Sequence, residues 1–199
     1  MQRDRRLLLM AAIVTLHIGC YWLVTRTTAA RGPQVLVDTT TQLDRLVPHL
    51  PGTWPLYWIA YPFVLLGAGA ALIRLSEVAF RRAALALAAM TVTGAVIQMI
   101  LPAQAPWPEV PALMQERYHA SALVLPYATL PSMHVAYCTF AAGLLTATVR
   151  SRLLLAASVV VVTLVAVSTL TLKEHVVLDA VTGLALAFAT LAWWQRGMR

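Results

Sequence analysis

LLLAASVVVVTLVAVSTLTLKEHVVLDAVTGLALAFATLAWW, residues 153–194, is two apolar runs separated only by Lys173, Glu174 and His175. Each run is about twenty residues, the length a helix rising about 1.5 Å per residue needs to cross roughly 30 Å of hydrocarbon. The stretch therefore predicts two membrane-spanning helices, 153–172 and 176–194, joined by a tight turn. His175 and Asp179 stand where the second helix begins. Hydrocarbon does not hold idle ionisable groups cheaply, since desolvating one costs several kcal/mol, so a functional role is the default for both.

Working outward, four further runs have the same character: 7–25, 54–73, 83–101 and 132–149. The 199 residues are 60% hydrophobic and 12% charged, with mean hydropathy +0.73. That is too apolar for a soluble domain of this size and too interrupted for a single anchor. The expected fold is all-α: one polytopic integral membrane domain, 1–199, of six transmembrane helices. Arg3, Arg5 and Arg6 precede the first span, Arg74, Arg81 and Arg82 fill the second turn, Arg150 and Arg152 the fourth, and Arg196 and Arg199 follow the last. All fall on one side, so the positive-inside rule predicts N-in, C-in. The net charge of +7 is thus read as a topology signal; no basic face interleaved with aromatics suggests nucleic acid.

The first run is longer than a signal-peptide core and is read as an uncleaved helix. Cys20 and Cys138 lie in different apolar runs without metal-ligand spacing and are expected to pack. Two long loops, 26–53 and 102–131, fall on the side opposite the arginines. In the first, Leu43, Leu46, Val47 and Leu50 follow i, i+3, i+4, i+7 spacing, which suits a short helix lying in the membrane interface. The second is punctuated by prolines at 102, 106, 108, 111, 126 and 131, and predicts an irregular cap with one short helix around 113–123. Trp54, Tyr57, Trp58 and Tyr61 read as an interfacial aromatic belt.

The topology brings His134, which opens the fourth span, to the same side as His175. His175 and Asp179 are four apart and share a helix face, so the carboxylate can fix one imidazole nitrogen as a donor and leave the other as a lone pair. Such an imidazole is a nucleophile, and the Asp stabilises the charge that grows on it. His134 can supply a proton to a leaving group near neutral pH. The electrophile is suggested by anion-binding parts: Ser132 ahead of the free N–H groups at Met133 and His134, the sole lysine Lys173, and loop cations Arg117 and Arg45. Phosphoryl transfer through a phosphohistidine uses these parts and requires neither a metal nor another cofactor.

The two histidine segments resemble the type 2 phosphatidic acid phosphatase superfamily of membrane lipid phosphatases and phosphotransferases. Pro131-Ser132-Met133-His134 resembles its PSGH motif, and Ser168-Thr169, five residues, His175, three residues, Asp179 reproduces the spacing of its third motif. The resemblance implies His175 as nucleophile, Asp179 as its orienting carboxylate, His134 as acid and later base, and Ser168 at a phosphate-site position. Met133 replaces the usual Gly, Thr169 the phosphate-binding Arg, and the Lys and Arg-Pro of the first motif are missing. This variant pattern is most similar to the inositolphosphotransferase branch, which includes inositol phosphorylceramide synthases; a basic residue shortly before the His is frequent there, as Lys173 is here.

The expected protein is a multi-pass, metal-independent enzyme of the plasma or inner membrane that cleaves a lipid phosphoester or phosphodiester on the extracytoplasmic face. Transfer to a lipid or polyol hydroxyl is favoured, and hydrolysis of a lipid phosphate is the alternative. A reading from another class is a membrane electron carrier with His134 and His175 as axial haem ligands; it leaves Asp179 and Lys173 without a purpose.

Overall fold

The computed structural model describes residues 2–104 and 129–196. Eight α-helices fall within these residues: α1 Gln2–Arg31, α2 Gln42–Leu46, α3 Trp54–Trp58, α4 Ala60–Arg74, α5 Glu77–Ile100, α6 Met133–Thr148, α7 Arg152–Thr171 and α8 Val177–Arg196. Five segments are long and apolar enough to cross a membrane, namely α1 from Asp4, the α3–α4 segment Pro51–Arg74, α5, α7 and α8. α6 is shorter, at 16 residues or about 24 Å of rise.

The helices are packed around α6. On one side Phe80, Ala83, Ala86 and Met90 of α5 meet Ala136, Phe140 and Leu144 of α6 and Ala187, Leu191 and Trp194 of α8. On the other, Ala60 and Phe63 of α4 meet Cys138, Ala141 and Leu145 of α6 and Val165 of α7. α4 comes close because Gly67 presents no side chain: a Cβ there would lie 2.7 Å from the Ala141 Cβ. α1 packs on α5 at the edge. The outward faces stay apolar, with Leu65, Ile73, Leu85, Val92, Leu153, Val160 and Phe188 all exposed. A soluble protein hides such residues; a lipid-embedded one turns them outward.

Helix ends follow local chemistry. α5 begins at Glu77, ahead of the expected 83, because Ser76 accepts a hydrogen bond from the Ala79 N–H and Glu77 favours the first turn. The second expected span is divided at Ile59, between α3 and α4. Pro62 lacks the N–H that would bond the Trp58 carbonyl, which accounts for the break. The short helix expected in this loop is five residues, Gln42–Leu46, and Leu43, Leu46 and Leu50 are exposed. A two-residue parallel pairing, β1 Val37–Asp38 with β2 Ala103–Gln104, clips the loop after α1 to the end of α5 and is the one non-helical pairing among the described residues. The short helix expected around 113–123 lies outside the described residues, as do His119 and Arg199.

The bundle has two chemically distinct ends. At one, Arg6 Nε bonds Glu77 (2.9 Å), its guanidinium bonds the Leu72 carbonyl (2.8 Å), Arg81 pairs with Glu77 and the Trp194 indole donates to Ala79 O. The other gathers α2, the starts of α3, α6 and α8 and the end of α7.

Candidate active site

The turn between α7 and α8 is fixed from both sides. Thr169 O accepts the N–H groups of Glu174 (3.1 Å) and His175 (3.2 Å), and Lys173 takes φ +61° so that the chain can reverse. From outside, the Lys173 ammonium donates to the carbonyls of Asp44 (2.9 Å) and Val47 (2.6 Å) at the end of α2. The Asp44 carboxylate accepts the Val177 N–H at 2.6 Å through one oxygen, and the Thr41 N–H and hydroxyl at 2.7 and 2.6 Å through the other. It thereby caps the first turn of α8. Burial works to raise the Asp44 carboxyl, but the hydrogen bonds from Thr41 and Val177 and the Lys173 charge outweigh it and hold it below the usual carboxylate range. Leu50 N–H to Thr171 O (2.9 Å) and the Thr53–Thr171 hydroxyl pair (2.8 Å) complete the attachment.

Within this frame His175 Nδ1 lies 3.1 Å from Asp179 Oδ2, which also accepts the Val176 N–H at 3.2 Å. Asp179 is fully buried. An acceptor-only carboxylate at Nδ1 selects the Nδ1–H tautomer and leaves Nε2 as the lone pair.

His134 arrives from α6. The Ser132 N–H bonds the Asp179 carbonyl at 2.9 Å, and the Ser132 hydroxyl caps α6 by accepting from Val135. This contact needs Gly183, because a Cβ there would sit 2.4 Å from Ser132 O. The start of α6 is thus pressed onto the first turns of α8, and the His134 and His175 rings meet edge to face with centroids 5.9 Å apart. Beyond His134 stands an aromatic wall. Tyr57 places its hydroxyl 2.8 Å from His134 Nε2, Trp54 stacks on Tyr57 at 5.1 Å, and Tyr61 meets His134 edge-on at 6.1 Å.

The structure brings Ser132, His134, His175 and Asp179 together. Ser168 is fully buried, its hydroxyl donating to Val165 O within α7 (2.7 Å). The Lys173 ammonium is engaged by α2, and Arg117 lies outside the described residues. Among the described residues no three His, Cys, Asp or Glu side chains cluster as a metal would require.

A family model of the PAP2 superfamily matches residues 53–193. The chain belongs to the PAP2 superfamily. No curated protein and no solved structure matches it. PAP2 membership points to an enzyme of phosphatase or phosphotransferase type, acting on a phosphate-containing lipid.

Three residues of the site were not singled out by sequence. The sequence groups Tyr57 with the aromatic belt, although its place among Trp54, Trp58 and Tyr61 marks a wall as readily as a belt. Asp44 follows Thr41 at the spacing of a capping pair, a local signal that does not show it also caps α8. Glu174 resembles a solvated turn residue but is buried, and burial pushes its carboxyl above the usual range against the opposing pull of His175.

Proposed function

We propose that this PAP2 protein is a metal-independent lipid phosphotransferase or phosphatase that works through a phosphohistidine at His175 on the extracytoplasmic face of the membrane. The single observation that carries the reading is the buried Asp179 bonded to His175 Nδ1 with His134 alongside. His175 Nε2 attacks phosphorus, and the bond from phosphorus to the leaving oxygen breaks. His134 gives that oxygen a proton, while Asp179 stabilises the charge on the His175 ring. In the second half His134 takes the proton of the attacking hydroxyl, and the phosphorus–nitrogen bond breaks. The N–H groups at the start of α6, behind Ser132, suit the phosphate oxygens. Arg117 is the cation we assign to them. Lys173 and Ser168, whose polar atoms already have partners, support the turn and the helix beneath the site.

With α6 as a sixth span, the arginine-rich end faces the cytoplasm by the positive-inside rule, and the histidines face outward. The variant motifs favour transfer over hydrolysis. Water is outcompeted only when an acceptor is held at high effective concentration in a site that excludes solvent, and the 102–131 loop is the segment we assign to that exclusion.

The test is incubation of detergent-solubilised protein with labelled lipid phosphates and phosphodiesters, with and without a polyol acceptor and with EDTA, resolving products by mass. The expected result is a new phosphodiester, insensitive to chelation and inhibited by orthovanadate. Rapid phosphate release from monoesters with no acceptor ever phosphorylated would leave the phosphatase alternative. Loss of activity on chelation, restored by one metal, would end the metal-free assignment.

A further inference from the structure

His134 has two ring nitrogens, and only one of them can serve the leaving group. Nε2 lies 2.8 Å from the Tyr57 hydroxyl, and the two rings are 4.7 Å apart, too close for a substrate oxygen to share that nitrogen. Tyr57 is itself held firmly. It is buried, Trp54 stacks on its ring at 5.1 Å, and the start of its helix is tied to the end of α7 through Thr53 and Thr171. Its hydroxyl is thus a fixed hydrogen-bond partner facing one edge of His134, as the Asp179 carboxylate is for His175.

We propose that Tyr57 is the positioning residue of the proton-transfer step: its oxygen accepts from His134 Nε2–H and so assigns Nδ1 as the nitrogen that exchanges protons with substrate. The inference rests on the reading of His134 as acid and base. When His134 is protonated, both nitrogens carry hydrogen, with Nε2–H donating to Tyr57 and Nδ1–H facing the leaving oxygen. As the phosphorus–oxygen bond breaks, the Nδ1 proton passes to that oxygen. The neutral ring remains as the Nε2–H tautomer, still bonded to Tyr57, with its lone pair on Nδ1. That lone pair takes the proton of the incoming hydroxyl, which restores the starting state. Without the Tyr57 oxygen the neutral ring is free to hold its hydrogen on either nitrogen and to turn about its side-chain bonds, and the fraction poised for transfer falls.

The role predicts a dependence on the leaving group that a packing role does not. A long-chain alkyl phosphate expels a strongly basic alkoxide, which needs a proton, whereas the para-nitrophenyl ester of the same lipid phosphate expels nitrophenolate, a stable anion that does not. Tyr57→Phe keeps the ring and removes only the hydroxyl. In single turnovers of the full-length protein, alcohol release from the alkyl substrate is expected to slow at least about tenfold, while the first-turnover burst of nitrophenolate stays within about twofold; the second half, in which His134 takes a proton whichever group has left, slows for both. His175→Ala, measured alongside, is expected to abolish both. Equal losses in leaving-group release from the two substrates, or no loss on either, would overturn the Tyr57 assignment while leaving the phosphohistidine reading intact. Turnover surviving in His175→Ala would instead overturn the reading on which the assignment rests.

Discussion

Replacing Gly183 by alanine places one methyl group against the backbone that joins the two histidines. The new Cβ would lie 2.4 Å from Ser132 O, whereas ordinary contact begins at 3.4 Å, so α6 and α8 must part by about 1.0 Å. Neither wall can yield alone: one is the helix backbone of α8, and the other is the N-terminal cap of α6. The Ser132 N–H to Asp179 O bond, now 2.9 Å, joins the same two segments, and a separation of that size takes it out of hydrogen-bond range. Overpacking of this kind costs about 1–3 kcal/mol of stability, partly offset by the gain of about 0.5–1 kcal/mol from replacing a helical glycine. The larger effect is on rate. A displacement of about 1 Å between reacting groups lowers kcat on the order of a hundredfold. Product formation from a lipid phosphate and thermal unfolding in the same detergent measure the two effects. Gly69→Ala, where an added Cβ meets nothing within 4 Å, is the control. A folded Gly183→Ala protein with kcat within about threefold of wild type would refute the claim that the α6–α8 contact sets the histidine geometry.

Further outcomes follow from the same geometry. His175→Ala and His134→Ala are expected to abolish turnover in a radiometric product assay, whereas Asp179→Asn retains a small residual rate because an amide still partly orients the ring. Asp44 has a lowered carboxyl pKa in the folded state, so its contribution to stability is fully present above the ordinary carboxylate pKa of about 4 and is lost as pH falls through the folded value. Melting temperature should therefore fall on acidification below about pH 4, and Asp44→Asn should flatten that limb while lowering stability at neutral pH by about 1–3 kcal/mol. Lys173 combines a positive φ with two carbonyl contacts, so Lys173→Ala should unfold at lower temperature than Lys173→Gly, by about 1 kcal/mol, because glycine accepts the backbone conformation. Equal melting temperatures for the two variants would remove the argument from the turn.

The sequence made the helices legible because a span requires an unbroken apolar run, and the charges of this chain sit between such runs. The His175–Asp179 pair was legible for a similar reason, since i, i+4 spacing is a property of one helix. What escaped was carried by contacts between distant segments. Lys173 stands two residues from His175 and looked like a phosphate clamp, yet it reaches residues 44 and 47. Local periodicity says nothing of a partner so far along the chain. Tyr57 and His134 are 77 positions apart, and only the packing of α3 and α4 against α6 and α7 brings a belt-like tyrosine to a specific ring nitrogen. The early start of α5 was hidden by Glu77, Arg81 and Arg82, whose charges end an apolar run but not a helix, because Arg6 and Glu77 pair at its base.

The measurement closest to the central claim is direct capture of the covalent intermediate. Purified protein is mixed with a lipid phosphate carrying a radioactive phosphoryl group, quenched rapidly in alkali and digested, and the labelled peptide is mapped. The account predicts an alkali-stable, acid-labile label on the peptide containing His175, absent from His175→Ala. A label on any other residue, or turnover by wild-type protein with no labelled peptide at the shortest quench times, would contradict it.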